Sequence, residues 1–275
     1  MGFWFSRSRR QRCLKLFHMS SVMNKLKPDI LSGQLQQLAE YDTALLANLL
    51  GFVDSTPTHL SYMSNQIRAL IPDVGPTVGV AMTCELDTST PEDEADGDTE
   101  AFWQQLAEME LMDVPTVWVV ACIGSRPDHE CIMGDGMGKL LCASGCVGAV
   151  TNGGARDLNG LRSIGFAVYG TGVTIHHCKM RVRRIGVPVD IGGITISPGD
   201  IIHANAEGVI RIPDNAVTKL LEQAPAYRAF EHEAHQLFRR TDLAVPQKRE
   251  LFDTIFAKYG FKDCTTVEGS ASSEN

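Results

Sequence analysis

An α/β fold with a mixed sheet is what this sequence predicts, on three observations. Between residues 41 and 122 helical and strand-like segments alternate, the pattern of helices packed on a sheet. From 166 to 212 short β runs follow one another, divided by glycines and by Ser197-Pro198-Gly199-Asp200, which suits a compact β-rich half built on tight turns. Between the two halves lies CIMGDGMGKLLCASGCVGAVTNGGARD, residues 131–157. There a Gly-rich opening leads into a helix, a strand and a sharp turn.

The elements follow in order. Residues 1–28 carry Arg7, Arg9, Arg10, Arg12, Lys15, Lys25 and Lys27 and no acid before Asp29. That is the composition of a mitochondrial-type presequence. The plainer reading is an over-extended start with Met19 or Met23 as initiator, and the segment is set outside the fold. Residues 29–240 are expected to form the main domain, and 241–275 a C-terminal helix and tail. YDTALLANLLG, 41–51, predicts a helix with Asp42 or Thr43 as cap, Gly51 as stop and Leu45, Leu46, Leu49 and Leu50 as its core stripe. Residues 77–84 read as a strand, 101–109 as a helix and 115–122 (PTVWVVAC) as a buried strand. The eight acids from Glu85 to Glu100 read as a solvated loop. In the second half, 166–169, 173–175, 187–191, 194–196, 201–204 and 209–212 are the expected β runs. Asp214 is expected to cap a helix that Pro225 interrupts. A second amphipathic segment runs over 226–240, and a last helix over 246–259 puts Leu251, Phe252, Ile255 and Phe256 on one face. The tail after Cys264 has a disordered composition.

Bulk properties narrow the function. The chain has 275 residues, 44% of them hydrophobic, enough for one large domain or a domain with appendages. A net charge of −8 argues against nucleic-acid binding, which needs a basic surface to neutralise phosphates. The longest apolar run, 116–124, is too short to span a membrane, so a soluble protein is expected. Eight cysteines with no Cys-x-x-Cys, several within apolar runs, read as buried reduced thiols of a reducing compartment. Cys142-x3-Cys146, with Cys131 and His176-His177, matches no familiar zinc spacing.

The chemistry concentrates in 131–157. Gly134, Gly136 and Gly138 open a helix whose Met137, Leu140 and Leu141 fall at helical spacing, and Gly145 stops it. Free N–H groups and the positive dipole end suit an anion there. After the strand 147–150, Gly153-Gly154 turn the chain onto Arg156-Asp157. Arg156 can fork onto a carboxylate, and Asp157 can hold a hard divalent cation. Together these describe a site for a small carboxylic acid and a metal. Both acids also have duller structural roles open to them, Asp135 capping the helix and Asp157 capping the turn 158–164.

Asp135 and Arg156-Asp157, with twenty residues between Asp135 and Arg156, form an Asp-x20-Arg-Asp pattern. It resembles that of the class II pyruvate aldolases. These include the 4-hydroxy-4-methyl-2-oxoglutarate aldolases, related to the RraA-like regulators of ribonuclease activity. LRSIGFAVYGTGVT (161–174) and VPVDIGGITISPGDIIHANAEGVIRIP (187–213) are similar to the same family. The resemblance implies an α/β/β sandwich of the swivelling type, assembled as a homotrimer or homohexamer. It implies a carbon–carbon lyase that cleaves 4-hydroxy-2-oxo acids to pyruvate and decarboxylates oxaloacetate. By the same likeness Asp157 ligates Mg2+ or Mn2+ and Arg156 contacts the pyruvate oxygens. The N–H groups of Gly134, Asp135, Gly136 and Met137 hold the substrate carboxylate, and the Asp135 side chain orients metal-bound waters for proton transfer.

A non-catalytic, protein-binding regulator is the alternative. The type regulator lacks the Asp after the Arg, so Asp157 favours the enzyme. A methyltransferase is rejected for want of a nucleotide-binding glycine fingerprint. The sequence departs from its relatives at His176-His177, where they often carry Pro-Arg. There the pair either reads the substrate's tail or faces solvent. In the family a further acid arrives from a neighbouring subunit. Glu231 or Glu233 stands at about the right distance along this chain, and helical geometry lets at most one of them serve.

Overall fold

The computed structural model describes residues 32–261 except 92, 93, 95 and 178. The basic segment 1–28 and the tail after Cys264 lie outside the described residues. Four parallel strands form the centre of the main sheet: β2 (Thr77–Asp87), β3 (Thr116–Cys122), β5 (Cys146–Thr151) and β7 (Ala167–Gly170), in the order β7-β5-β3-β2. Antiparallel strands complete it. β1 (Arg68–Ala69) lies beside β7. β12 (Ile201–Asn205) pairs with the first half of β2 and carries β13 (Gly208–Ile212) beyond it, while β9 (Arg181–Ile185) pairs with the last part of β2.

Side-chain alternation decides the layers. Met82, Cys84, Leu86, Trp118 and Val120 share one buried cluster with Phe102, Leu106 and Met109 of α3 (Glu100–Met109), Leu141 of α4 (Asp135–Ala143) and Leu161 of α5 (Leu158–Ser163). The intervening Ala81, Val117, Val119 and Ala121 share another with the hairpin β10 (Val189–Ile191) and β11 (Ile194–Ile196). At the β12–β13 end, Val78 and Val80 pack with α1 (Ser32–Leu38), α2 (Thr43–Val53) and α6 (Val217–Arg239). Helices cover one face and a β-hairpin the other, so the expected α/β/β arrangement is present. With both faces covered, all seven residues of β3 are buried, which is why PTVWVVAC has no alternation. A three-stranded parallel sheet, β4 (Cys131–Met133), β6 (Gly154–Ala155) and β8 (Gly172–Val173), stands apart and carries the 131–157 turn.

Several local expectations are corrected. Asp42 caps α2 as expected, its Oδ1 accepting the Leu45 N–H at 2.8 Å, but the helix runs through Gly51 to Val53. An interior glycine costs about 1 kcal/mol, less than the burial of Leu49, Leu50 and Val53 returns. Pro225 does not interrupt α6, which is continuous from Val217 to Arg239. The buried stripe Leu220, Ala224, Tyr227, Phe230, Ala234 and Leu237 crosses the proline without a break. That packing offsets the roughly 3 kcal/mol an interior proline costs. The acidic run is not all loop, since Glu85 and Asp87 end β2 and pair with Arg184 and Arg181 of β9. In α7 (Val245–Tyr259), Phe252, Ile255, Phe256 and Tyr259 pack on the core while Leu251 is exposed. Ile175, expected in a strand, is an exposed residue beyond β8.

Candidate active site

The 131–157 stretch folds so that its two ends meet. β4 and β6 run parallel, Cys131 opposite Gly154 and Met133 opposite Ala155. The chain leaves β4 into α4 and leaves β6 into Arg156-Asp157. The Arg156 N–H donates to the Met133 carbonyl at 3.0 Å, fixing the turn against the helix entrance. Between them opens a cleft of about 310 Å3. Gly134, Asp135, Gly136, Met137, Arg156 and Asp157 all line it, so the structure brings these six sequence-predicted residues together. His176, His177, Met180 and Thr88 complete the wall.

α4 begins at Asp135 with Gly134 as N-cap, so the N–H groups of Asp135, Gly136 and Met137 lie in the first turn, where helices leave donors unsatisfied. A Cβ on Gly136 would meet nothing within 4 Å, leaving room for a ligand to approach. Gly145, at φ 83°, follows the C-cap Ser144 and ends the element as expected. Asp135 does not cap. Its Oδ2 accepts from Lys139 Nζ at 2.7 Å, one helical turn on, and this lysine, with weaker help from the Gly136 N–H and Arg156, holds its pKa below the ordinary carboxylate value.

Asp157 is the more telling residue. It occupies the N-cap position of α5 in the left-handed region, φ 55° and ψ 39°, and its side chain makes no cap hydrogen bond. Among the described residues it is the one non-glycine with positive φ. Such a conformation costs of order 1 kcal/mol and gathers at functional sites. Its side chain is 48% exposed, with Oδ2 3.5 Å from Arg156 Nε. A Cβ on Gly134 would lie 2.4 Å from that oxygen, so the glycine is the cradle that leaves the carboxylate its space. The arrangement aims a hard oxygen donor, beside a guanidinium, into a cleft floored by helix N–H groups. It fits a divalent cation of the Mg2+ class bound mainly through water. Among the described residues no three His, Cys, Asp or Glu side chains gather as a metal cage, so Asp157 would be the protein's direct ligand.

Sequence reasoning missed Thr88 and Lys139. Lys139 had a legible signal, its i,i+4 spacing from Asp135. Thr88 follows β2 and reaches the cleft only through the tertiary fold. His176 and His177 are exposed and line the cleft. Glu233 is engaged within its own chain, accepting from Lys258 Nζ at 2.7 Å and Tyr259 Oη at 3.1 Å. Glu231 Oε1 accepts from Asn48 Nδ2 at 3.4 Å near the surface.

Five cysteines of the described residues, Cys84, Cys122, Cys131, Cys142 and Cys146, are free, and all but Cys142 are buried. No helix of the described residues is long and apolar enough to cross a membrane.

A family model described as RraA-like, Aldolase/RraA, matches residues 45–211. The Legionella pneumophila protein DlpA is 31% identical over 123 residues, 40% of this chain and 20% of that protein. A Halalkalibacterium halodurans protein carrying the provisional name 4-hydroxy-4-methyl-2-oxoglutarate aldolase is 35% identical over 134 residues, 47% of this chain and 62% of that one. The matched region is thus under two thirds of either curated relative's length. Streptomyces coelicolor RraAS2, described as an unusual member of the RNase ES inhibitor RraA protein family, superposes with a TM-score of 0.59 at 23% identity. It covers 76% of this chain and 98% of its own, a likeness of fold.

Proposed function

Because this chain belongs to the RraA-like, Aldolase/RraA family, we propose that it is a divalent-metal-dependent lyase. It cleaves 4-hydroxy-2-oxo acids of the 4-hydroxy-4-methyl-2-oxoglutarate type to pyruvate, and decarboxylates oxaloacetate through the same enolate. The observation that carries this reading is Asp157, a left-handed residue whose carboxylate caps nothing and faces the cleft beside Arg156. A purely structural aspartate at a helix start would use its side chain on the helix.

Asp157 would hold the ion, Mg2+ or Mn2+, which when bound supplies Lewis-acid polarisation of the 2-oxo group. The first-turn N–H groups of α4 receive the substrate carboxylate. Arg156 donates to the 2-oxo oxygen and stabilises the charge that develops there as the C3–C4 bond breaks. Asp135, kept ionised by Lys139, accepts the proton of the 4-hydroxyl. His176 and His177 sit where a substrate's leaving half would lie. We place the enzyme in a reducing compartment, the cytoplasm or, if residues 1–28 are a presequence, the mitochondrion. We expect it to act as a homotrimer or homohexamer, with Glu231 rather than the engaged Glu233 available to a neighbour.

The test is pyruvate release from a panel of 4-hydroxy-2-oxo acids and from oxaloacetate, with Mg2+ or with excess chelator. Release that chelator abolishes and Mg2+ restores is the expected result. Full activity in chelator would refute the metal role. No release from any substrate would favour the protein-binding role that the Streptomyces relative's description suggests.

A further inference from the structure

Three residues of the cleft wall, Thr88, Cys131 and Met180, come from three separate segments of the chain. Each stands next in sequence to a buried ionisable residue that the reaction above does not use. These are Asp87, 3% exposed, Glu130, fully buried, and Arg181, 6% exposed.

Asp87 and Arg181 are the last paired positions of β2 and β9. Arg181 Nη2 lies 3.4 Å from Asp87 Oδ1 and donates to the Thr90 carbonyl at 2.6 Å. One guanidinium thus ties β9 both to the end of β2 and to the loop that follows Thr88. That loop folds back on Asp87, whose Oδ1 accepts the N–H groups of Ser89 and Thr90 at 3.1 and 3.0 Å. Ser89 Oγ in turn donates at 2.6 Å to Oε1 of Glu130, the residue before Cys131. A Cβ on Gly124 would lie 2.4 Å from Asp87 Oδ1 and Ser89 Oγ and 1.9 Å from Glu130 Oε1, so the glycine leaves these groups the room to meet.

β9 reaches its pairing with Asp87 through a bulge. Glu85 pairs with Arg184 but Leu86 pairs with Val182, which leaves Arg183 as an extra residue. Bulges re-aim the residues beyond them and recur beside active sites. This one sets Ile185 and Val182, three apart, opposite Cys84 and Leu86 of one core cluster. It also turns Arg184 to Glu85 and Arg181 to Asp87. The side chains of Arg181 and Asp87 are only 7% and 5% exposed. A pair buried so deeply adds little stability, because desolvation consumes most of its attraction, and registry is the better-attested use of such pairs.

Next to this anchor in the chain lies the wall itself, Met180 and, before it, His177 and His176. We propose that Asp87 and Arg181 are positioning residues for the cleft. They hold the side that His176, His177 and Met180 form at a fixed distance from Thr88, and so determine which leaving halves the site accepts. This rests on the aldolase reading above. Neither residue touches substrate, and the pyruvate end of the site, made by α4, Arg156 and Asp157, does not depend on them.

Oxaloacetate and the 4-hydroxy-2-oxo acids separate the two ends. Both present a pyruvate half, and only the latter carry a leaving half larger than carbon dioxide. Asp87→Asn combined with Arg181→Met removes both charges while keeping much of both shapes. It leaves no buried charge unmatched, a replacement that ordinarily costs little stability. The double variant should melt near wild type and decarboxylate oxaloacetate within about 2-fold of it, while KM for 4-hydroxy-2-oxo acids rises about 10-fold at little-changed kcat. Amide hydrogen exchange should quicken in 88–90 and 180–183 and not in 134–157. Arg181→Lys keeps Asp87 matched but gives up the fork. It should show the same split to a smaller degree, and it decides the matter if the double variant does not fold. Parallel loss of both activities would reduce the pair to a structural role, and unchanged kinetics would remove it from the site. In either case pyruvate release by wild type leaves the aldolase reading intact. If wild type releases no pyruvate from any substrate, that reading fails and the specificity role falls with it, whatever the amide exchange shows.

Discussion

Arg156, Asp157 and Gly134 illustrate how little space separates the roles of neighbouring residues. Arg156→Lys keeps the charge but loses the planar fork. It should lower kcat/KM by about 2–4 kcal/mol of transition-state binding. Asp157→Asn should act chiefly through metal affinity, so a steady-state Mg2+ titration should recover part of its activity. Gly134→Ala tests the cradle without touching any charge. Its new methyl would fall 2.4 Å from Asp157 Oδ2 and 3.1 Å from Arg156 Nε. It should therefore demand far more Mg2+ than wild type while melting at nearly the same temperature, since the Asp157 side chain can swing aside. Near-normal kinetics in all three variants would show that the chemistry lies elsewhere.

Among the elements, α3 is tied to the sheet by a buried polar chain. Trp118 Nε1 donates to Gln105 Oε1 at 2.8 Å, and Gln105 Nε2 donates to the Thr83 carbonyl at 2.9 Å. Gln105→Leu should lower stability by about 1–3 kcal/mol, because the buried indole N–H loses its amide acceptor while the Thr83 carbonyl keeps only the Gly186 N–H, at 2.9 Å. A urea titration should show a lower midpoint at unchanged slope. No such chain is visible in the sequence, where EAFWQQLAEM reads only as an amphipathic helix. The same limit governs what could be foreseen elsewhere. Strands buried on both faces and the turn from β6 into α5 were legible because local composition decides them. β9 was not, since RVRRI has the look of exposed loop until Arg181 and Arg184 find Asp87 and Glu85. Pro225 reads as a break because the packing that carries α6 across it lies in other elements. The Arg156–Asp157 site is contiguous with its spacing motif, whereas Asp87 and Arg181 pair from two distant segments.

At the scale of the whole molecule, His203 joins the helical layer to the sheet. It is fully buried on β12, its Nε2–H donating to the Leu38 carbonyl of α1 at 3.2 Å and its Nδ1 accepting from Thr43 Oγ1 of α2 at 3.0 Å. Burial keeps the ring neutral, lowering its pKa from 6.5 to about 4 even though the Leu38 and Tyr41 carbonyls pull the other way. The unfolded chain therefore binds the proton first as pH falls. The contribution to stability is complete above about 6.5 and is lost progressively down to about 4, reaching about 3 kcal/mol. Urea unfolding from pH 7.5 to 4.5 should show this slope in wild type and a shallower one in His203→Gln, which retains a donor for Leu38.

β2 is the strand on which all of this converges. It takes β3 on one side and both β12 and β9 on the other, and its end supplies Asp87 and the approach to Thr88. Those partners are made at different times on the ribosome. β3 follows β2 closely, but β9 and β12 come only after the whole 131–157 stretch has been synthesised. Until Ala204 has emerged, a long apolar strand has one edge of N–H and C=O groups with nothing to pair, the circumstance in which chains add to one another. Such remote pairing also makes for slow folding. Because Thr88 of the cleft wall follows directly on this strand, that side of the cleft is held in a complete sheet only once the last third of the chain has joined it.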